Sequence, residues 1–223
     1  MTETTYRGLE LETDVPLEEL AAEANDLASS RAGFLKRAAI FGGGAVAAAS
    51  GAMAFPGGAS ATRASDVKIL NFALTLEYLE STFYAIAADK GRLDSRVMRL
   101  ARVIRDHEIA HVKALVATIP SLGGTPVKKP RFNFPPSLFA DQGTFLQTAM
   151  ALEDTGVGAY NGAGPALTLT PVKQAAASIV AVEAMHAGWV RGVIGTVLPA
   201  PATFDELLTT DQVLAAAGPF FAT

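Results

Sequence analysis

Two of the chain's three histidines stand three residues after a glutamate, in Glu108-Ile109-Ala110-His111 and Glu183-Ala184-Met185-His186. Residues three apart on a helix share one face about a turn apart, so a carboxylate and an imidazole at this spacing can converge on one cation. With 12 glutamates in 223 residues, a histidine follows one at that distance by accident about 5% of the time, and two of three doing so is a roughly 1% coincidence. Two lone glutamates extend the pattern. Glu77 is followed at +7 by Tyr84, and Glu153 at +7 by Tyr160, with 31 residues from Glu77 to Glu108 and 30 from Glu153 to Glu183. The chain therefore reads as an internal repeat of a helix pair, each pair donating a lone glutamate and then a Glu-x-x-His.

Glu77 falls in the middle of an apolar stripe (Ile69, Leu70, Phe72, Ala73, Leu76, Leu79, Phe83) at helical spacing. A lone buried carboxylate is costly and is normally protonated or paired. Four such acids without buried basic partners call for another source of positive charge, and two divalent ions supply +4 against −4. Carboxylate-rich sites with one imidazole per metal suit iron or manganese better than zinc. Tyr84 and Tyr160 are candidate hydrogen-bond donors to the carboxylates, or else ordinary core aromatics. Glu80, one turn from Glu77, is an alternative ligand, or a solvated or tyrosine-bonded side chain. A competing reading comes from His107-Glu108-Ile109-Ala110-His111, which spells the His-Glu-x-x-His of zinc peptidases. That scheme leaves the second Glu-x-x-His and the repeat unexplained, and no third ligand follows at a typical spacing.

The elements that must position these residues are four long helices, expected at about 66–88, 95–119, 143–161 and 172–197, with Asp66 as the first N-cap. Arg92, Arg96, Arg99, Arg102 and Arg105 recur at helical spacing as a solvated outer face. Residues 120–140 carry too many Pro and Gly for regular structure. So long a link is expected where two consecutive helices run parallel and the chain must cross the length of a bundle. The fold class is thus all-α: a four-helix bundle with one long crossover between helices 2 and 3, plus short C-terminal helical turns.

Residues 1–61 carry Arg7, Arg31, Lys36 and Arg37 against eight acids, which accounts for the whole net charge of −4. The remainder is neutral and gives no basic field for nucleic acid. There are no cysteines, which excludes disulfides, thiolate metal sites and cysteine nucleophiles. Ser30-Arg31-Ala32-Gly33-Phe34-Leu35-Lys36 resembles the twin-arginine export motif except that Ala32 replaces the second arginine. A Gly/Ala-rich apolar run, 38–55, and Ala59-Ser60-Ala61 complete an export signal, with cleavage expected near Ala61. The alternative is an uncleaved anchor formed by 38–55, the chain's one route to a membrane. The domains are then 1–61, a disordered N-terminus and signal, and 62–223, the bundle.

From about Asp66 onward the chain resembles the ferritin-like superfamily, and most closely the exported ferritin-like domain proteins related to plant desiccation-associated proteins. The resemblance is carried by the Glu-x-x-His pairs, by Ile69-Leu70-Asn71-Phe72-Ala73-Leu74 leading into Leu76-Glu77-Tyr78-Leu79-Glu80, and by Gln212-Val213-Leu214-Ala215-Ala216-Ala217-Gly218-Pro219-Phe220. It implies that Glu77, Glu108, His111, Glu153, Glu183 and His186 bind two iron ions, or two manganese ions, directly. It also implies that Glu108 and Glu183, or their lone-glutamate counterparts, bridge them. The expected function is reaction of a di-iron centre with dioxygen or peroxide, in iron oxidation or in oxidative and desiccation stress protection. A dimanganese catalase-like enzyme is the alternative, as is a non-enzymatic stress protein with a structural or lost metal site. Homo-oligomers, including iron-storing shells, are left open by a single sequence.

Overall fold

The computed structural model describes residues 58–195 and 198–222. The export motif and the apolar run at 38–55 lie outside them. Among the described residues no helix is long and apolar enough to cross a membrane.

Four long helices form the body: α1 Gly58–Lys90, α2 Ser95–Ser121, α3 Gln142–Ala163 and α4 Thr170–Ile194. A fifth, α5 Thr210–Ala217, closes the tail. Two aspartates start their helices as the sequence chemistry dictates. Asp94 accepts from the Val97 amide at 2.8 Å, and Asp141 from that of Thr144 at 2.7 Å. Gly195, at φ 77°, ends α4 in the left-handed conformation that favours glycine.

Asp66 is not an N-cap, contrary to the sequence expectation, because α1 begins at Gly58 and Asp66 lies inside it. Its carboxylate is fully buried and accepts from the Thr168 amide and hydroxyl and from the Leu169 amide at 2.8, 3.0 and 3.0 Å. The start of α4 lacks a side-chain cap of its own, so Asp66 holds the turn into α4 from another helix. α1 also runs through the expected cleavage point at Ala61.

Tertiary contacts fix the helix directions. Tyr84 meets Glu153 and Tyr160 meets Glu77, so α1 and α3 are antiparallel. Each is also antiparallel to the helix that follows it, which makes α2 and α3 parallel and requires the long crossover at 122–141. That crossover is pinned from the middle of α1 and from the link just beyond its C-terminal end. Asn71 binds the Thr125 carbonyl and the Val127 amide, and the Arg92 amide donates to Phe139 O. It is not wholly irregular: Pro136–Phe139 form a 3-10 turn, and Phe132 makes a single β-bridge with Phe221. On the outer face of α2, Arg96, Arg99 and Arg102 are exposed, as is Arg92 in the link before it, while Arg105 is half-buried and pairs with Asp106 at 2.8 Å.

The tail packs back on the bundle. Thr209 and Gln212 make a reciprocal capping box for α5, and Val213 and Ala217 are buried. Leu208 lies so close to α3 that a Cβ on Gly162 would stand 2.0 Å from the Leu208 carbonyl oxygen. The interior divides into two apolar cores. One centres on Phe83, stacked on Phe145 at 5.2 Å, and includes Tyr84, Ile104 and Val190. The other holds Leu70, Leu115, Ile119, Tyr160 and Ile179. Each core contributes one tyrosine to the polar cluster that the four helices enclose.

Candidate metal centre

Each helix turns acids or imidazoles inward from its apolar stripe: Glu77 from α1, Glu108 and His111 from α2, Glu153 from α3, Glu183 and His186 from α4. All six are buried, and the four carboxylates and His186 are fully so. Their ligand atoms fall into two groups, each within 4.8 Å of one another: Glu77, Glu108, Glu183 and His111, and Glu108, Glu153, Glu183 and His186. Either group could hold a metal ion.

The two shared glutamates split their oxygens. Glu108 Oε2 lies 3.3 Å from His111 Nδ1 while its Oε1 lies 3.0 Å from His186 Nδ1. Glu183 Oε1 lies 3.0 Å from His111 Nδ1 while its Oε2 lies 3.8 Å from His186 Nδ1. Glu77 and Glu153 each face one imidazole, at 3.2 and 3.3 Å. Their remaining oxygens are taken by tyrosines of the opposite half. Tyr160 OH donates to Glu77 Oε1 at 2.5 Å and Tyr84 OH donates to Glu153 Oε1. The tyrosines thus serve the carboxylates, although each reaches across the bundle rather than along its own helix.

Among the described residues, five buried side-chain atoms have no hydrogen-bond partner, and all five belong to this cluster: Glu108 Oε1, Glu153 Oε2, both Glu183 oxygens and His186 Nδ1. They approach one another closely without meeting hydrogen-bond geometry. A buried polar atom is ordinarily satisfied. Orphaned acceptors around a common point are what a cation's ligands look like, so the donor set fits a metal pair.

The electrostatics of the bare cluster agree. Burial, together with neighbouring carboxylates, raises Glu77 well above the usual carboxylate range and Glu153 to about 8. Burial also works against the ionised forms of Glu108 and Glu183. There the two imidazoles win, and both carboxyls are held below their ordinary value. For His111 and His186 burial opposes the charge, but the surrounding carboxylates raise both well above the normal imidazole range. Protons stand in for the cations the geometry invites.

Glu80 is neither solvated nor tyrosine-bonded. It is buried, and it joins neither group of ligand atoms. Its Oε1 lies against Gly156, where an added Cβ would come within 3.0 Å of it and 3.5 Å of Glu183 Oε2. Burial and four acidic neighbours push its carboxyl well up.

The peptidase reading does not survive. His107 belongs to neither group, and its Nδ1 lies 2.9 Å from His186 Nε2. It meets the outer edge of a candidate ligand, not a shared ion with His111. That contact with a candidate ligand is what the sequence reading missed. Its only signal was the His-Glu-x-x-His string, which pointed to the wrong chemistry.

No protein of curated function matches the chain. The family model for a ferritin-like domain matches residues 65–196, the four helices that enclose the cluster and more than half of the sequence. The chain belongs to the ferritin-like domain family.

Proposed function

We propose that the chain is an exported di-iron carboxylate protein that reacts with dioxygen or peroxide, in iron oxidation or in protection from oxidative and desiccation stress. The observation that carries this reading is the split of Glu108 and Glu183 between two groups of buried donors, whose orphaned atoms face one another. Glu77 and His111 would complete one metal position, Glu153 and His186 the other, and the two shared glutamates would bridge them. Iron held by these residues would supply redox and Lewis-acid chemistry toward dioxygen or peroxide.

The chain's own residues prepare that place. Tyr84 and Tyr160 hold one oxygen of Glu153 and of Glu77, leaving the other directed inward. Glu80, its carboxyl pushed well up by burial, lies next to Glu183. The two apolar cores on either side keep bulk water out, which strengthens every interaction inside.

Metal analysis of the mature chain purified from a native-like host is the first test, and two irons per chain with ferrous-dependent oxygen consumption are expected. Two manganese ions with oxygen evolution from peroxide would make it catalase-like instead. Metal-free protein that protects partners from drying regardless of Glu108→Ala would make it a structural stress protein. Export rests on the Ser30–Lys36 motif, the apolar run and Ala59-Ser60-Ala61. N-terminal sequencing of the secreted form should begin near Thr62, whereas an intact N-terminus in the membrane fraction would mean an anchor.

A further inference from the structure

The two halves of the repeat are not chemically equal. In both, the imidazole turns Nδ1 toward the carboxylates: His111 toward Glu77, Glu108 and Glu183, and His186 toward Glu108, Glu153 and Glu183. A ring nitrogen that gives a lone pair to a cation carries no proton, so the proton must sit on Nε2. In a buried ring that N–H needs an acceptor to hold the tautomer and the ring orientation. His186, fully buried, has one. Its Nε2 lies 2.9 Å from His107 Nδ1. The ring planes are 22° apart and the two nitrogens are closer than stacked rings can approach, so the imidazoles meet edge to edge, along a hydrogen bond. Trp189 lies against both rings, with centroids at 6.2 and 5.7 Å, and covers the pair.

The repeat shows where the matching acceptor for His111 should be. His107 precedes Glu108 by one residue, and the residue preceding Glu183 is Val182. Val182 is buried and has no acceptor to offer. The same fold therefore provides a designated imidazole partner at one metal position and an isopropyl group at its counterpart.

We propose that His107 is a positioning residue: it accepts the Nε2 proton of His186, aims the Nδ1 lone pair inward, and makes the position formed by Glu108, Glu153, Glu183 and His186 the tighter of the two. The inference rests on reading the cluster as a metal pair. Loss of such a partner typically weakens a metal site 10- to 100-fold, and the gap between the two positions should be of that order.

The test is an anaerobic titration of the full chain, stripped by chelation, with Co(II), followed by calorimetry and by fluorescence. Trp189 is the chain's one tryptophan and sits against His186, so its quenching reports the nearer position. In the parent, two separated binding steps are expected, with most quenching in the first. His107→Val copies the residue that the repeat itself uses at Val182. It should weaken the tight step about 10- to 100-fold and spread the quenching over both ions. His107→Asn places an amide oxygen where Nδ1 stood and should restore the separation, which a merely space-filling role would not require. A Glu77→Gln control should affect only the later step. If the parent binds two ions and His107→Val binds them with the same two steps, this inference falls while the metal centre stands. Failure of Asn to restore the steps in a variant that melts like the parent also overturns it. If the parent binds no metal, the functional reading falls with it.

Discussion

Loading the centre with two divalent ions at pH 7 should expel about four protons. In the bare cluster His111 and His186 are protonated, because the carboxylates around them outweigh the effect of burial. Glu77 and Glu153 are expected to hold protons as well, since burial raises both, Glu153 to about 8. Glu108 and Glu183 stay ionised beside the imidazoles despite their burial. Two imidazolium charges thus balance two carboxylates, and the greasy interior is neutral. With two dications bound, four carboxylates are ionised and both imidazoles are neutral, and the interior is neutral again. The two states differ by four protons. The product of the two association constants should accordingly rise about ten-thousand-fold per pH unit between pH 6 and 8, or about 5 kcal/mol. Above pH 8 the dependence eases toward three protons as Glu153 loses its own. Calorimetric titration in buffers of different ionisation enthalpy counts the protons directly. A release of two or fewer, or an affinity flat from pH 6 to 8, would refute the charge assignment.

The same shifts govern the metal-free fold. A carboxyl raised from 4.5 to about 8 contributes stability that is fully present below pH 4.5 and lost as pH rises to 8. Glu153 alone accounts for about 5 kcal/mol of that loss. The Tm of chelated protein should therefore fall from pH 5 to 8 while that of the metal-loaded form does not, and parallel curves would contradict this. Tyr84→Phe leaves Glu153 Oε1 without its donor and should weaken the His186 position about 10- to 100-fold. Tyr160→Phe should do the same at the His111 position through Glu77, and unchanged Co(II) affinities in both variants would rule the bonds unimportant. Asp66→Ala removes three hydrogen bonds at the turn into α4 and should cost about 3 kcal/mol in urea unfolding. A loss under about 1 kcal/mol would show that the turn holds without it.

The fold and the six converging side chains were legible because one physical conflict is written in local sequence. Glu77 interrupts an apolar stripe, and each Glu-x-x-His sits at the same distance behind its lone glutamate. Helix period then settles which side chains share a face, and the breaker-rich link settles that α2 and α3 run parallel. What stayed hidden depends on contacts between distant segments. Tyr84 and Glu77 lie two turns apart on one helix, but Tyr84 serves Glu153, because α3 runs antiparallel to α1 and sets the opposite tyrosine beside each lone glutamate. Asp66 has the composition of an N-cap, yet its partners are about 100 residues away. His107 precedes the expected ligand Glu108, and only the approach of α4 reveals that it meets the back of His186.

Duplication explains why a lone carboxylate and a Glu-x-x-His occur twice, and packing explains why the copies could not remain identical. Three residues after the lone glutamate, one half has Glu80 and the other has Gly156. Glu80 fills the space its counterpart leaves empty, since a Cβ at 156 would already press within 3.0 Å of its Oε1. A glutamate in both places would need the same volume twice. Burial among the other carboxylates pushes the surviving acid's carboxyl well up, which disfavours a further charge in the interior. His107 and Val182 repeat the lesson at the imidazoles, with one polar partner retained and its counterpart made apolar. A centre built from two equal halves thus acquires two unequal sides. The inequality lies in residues flanking the donors, while the donors themselves stay matched.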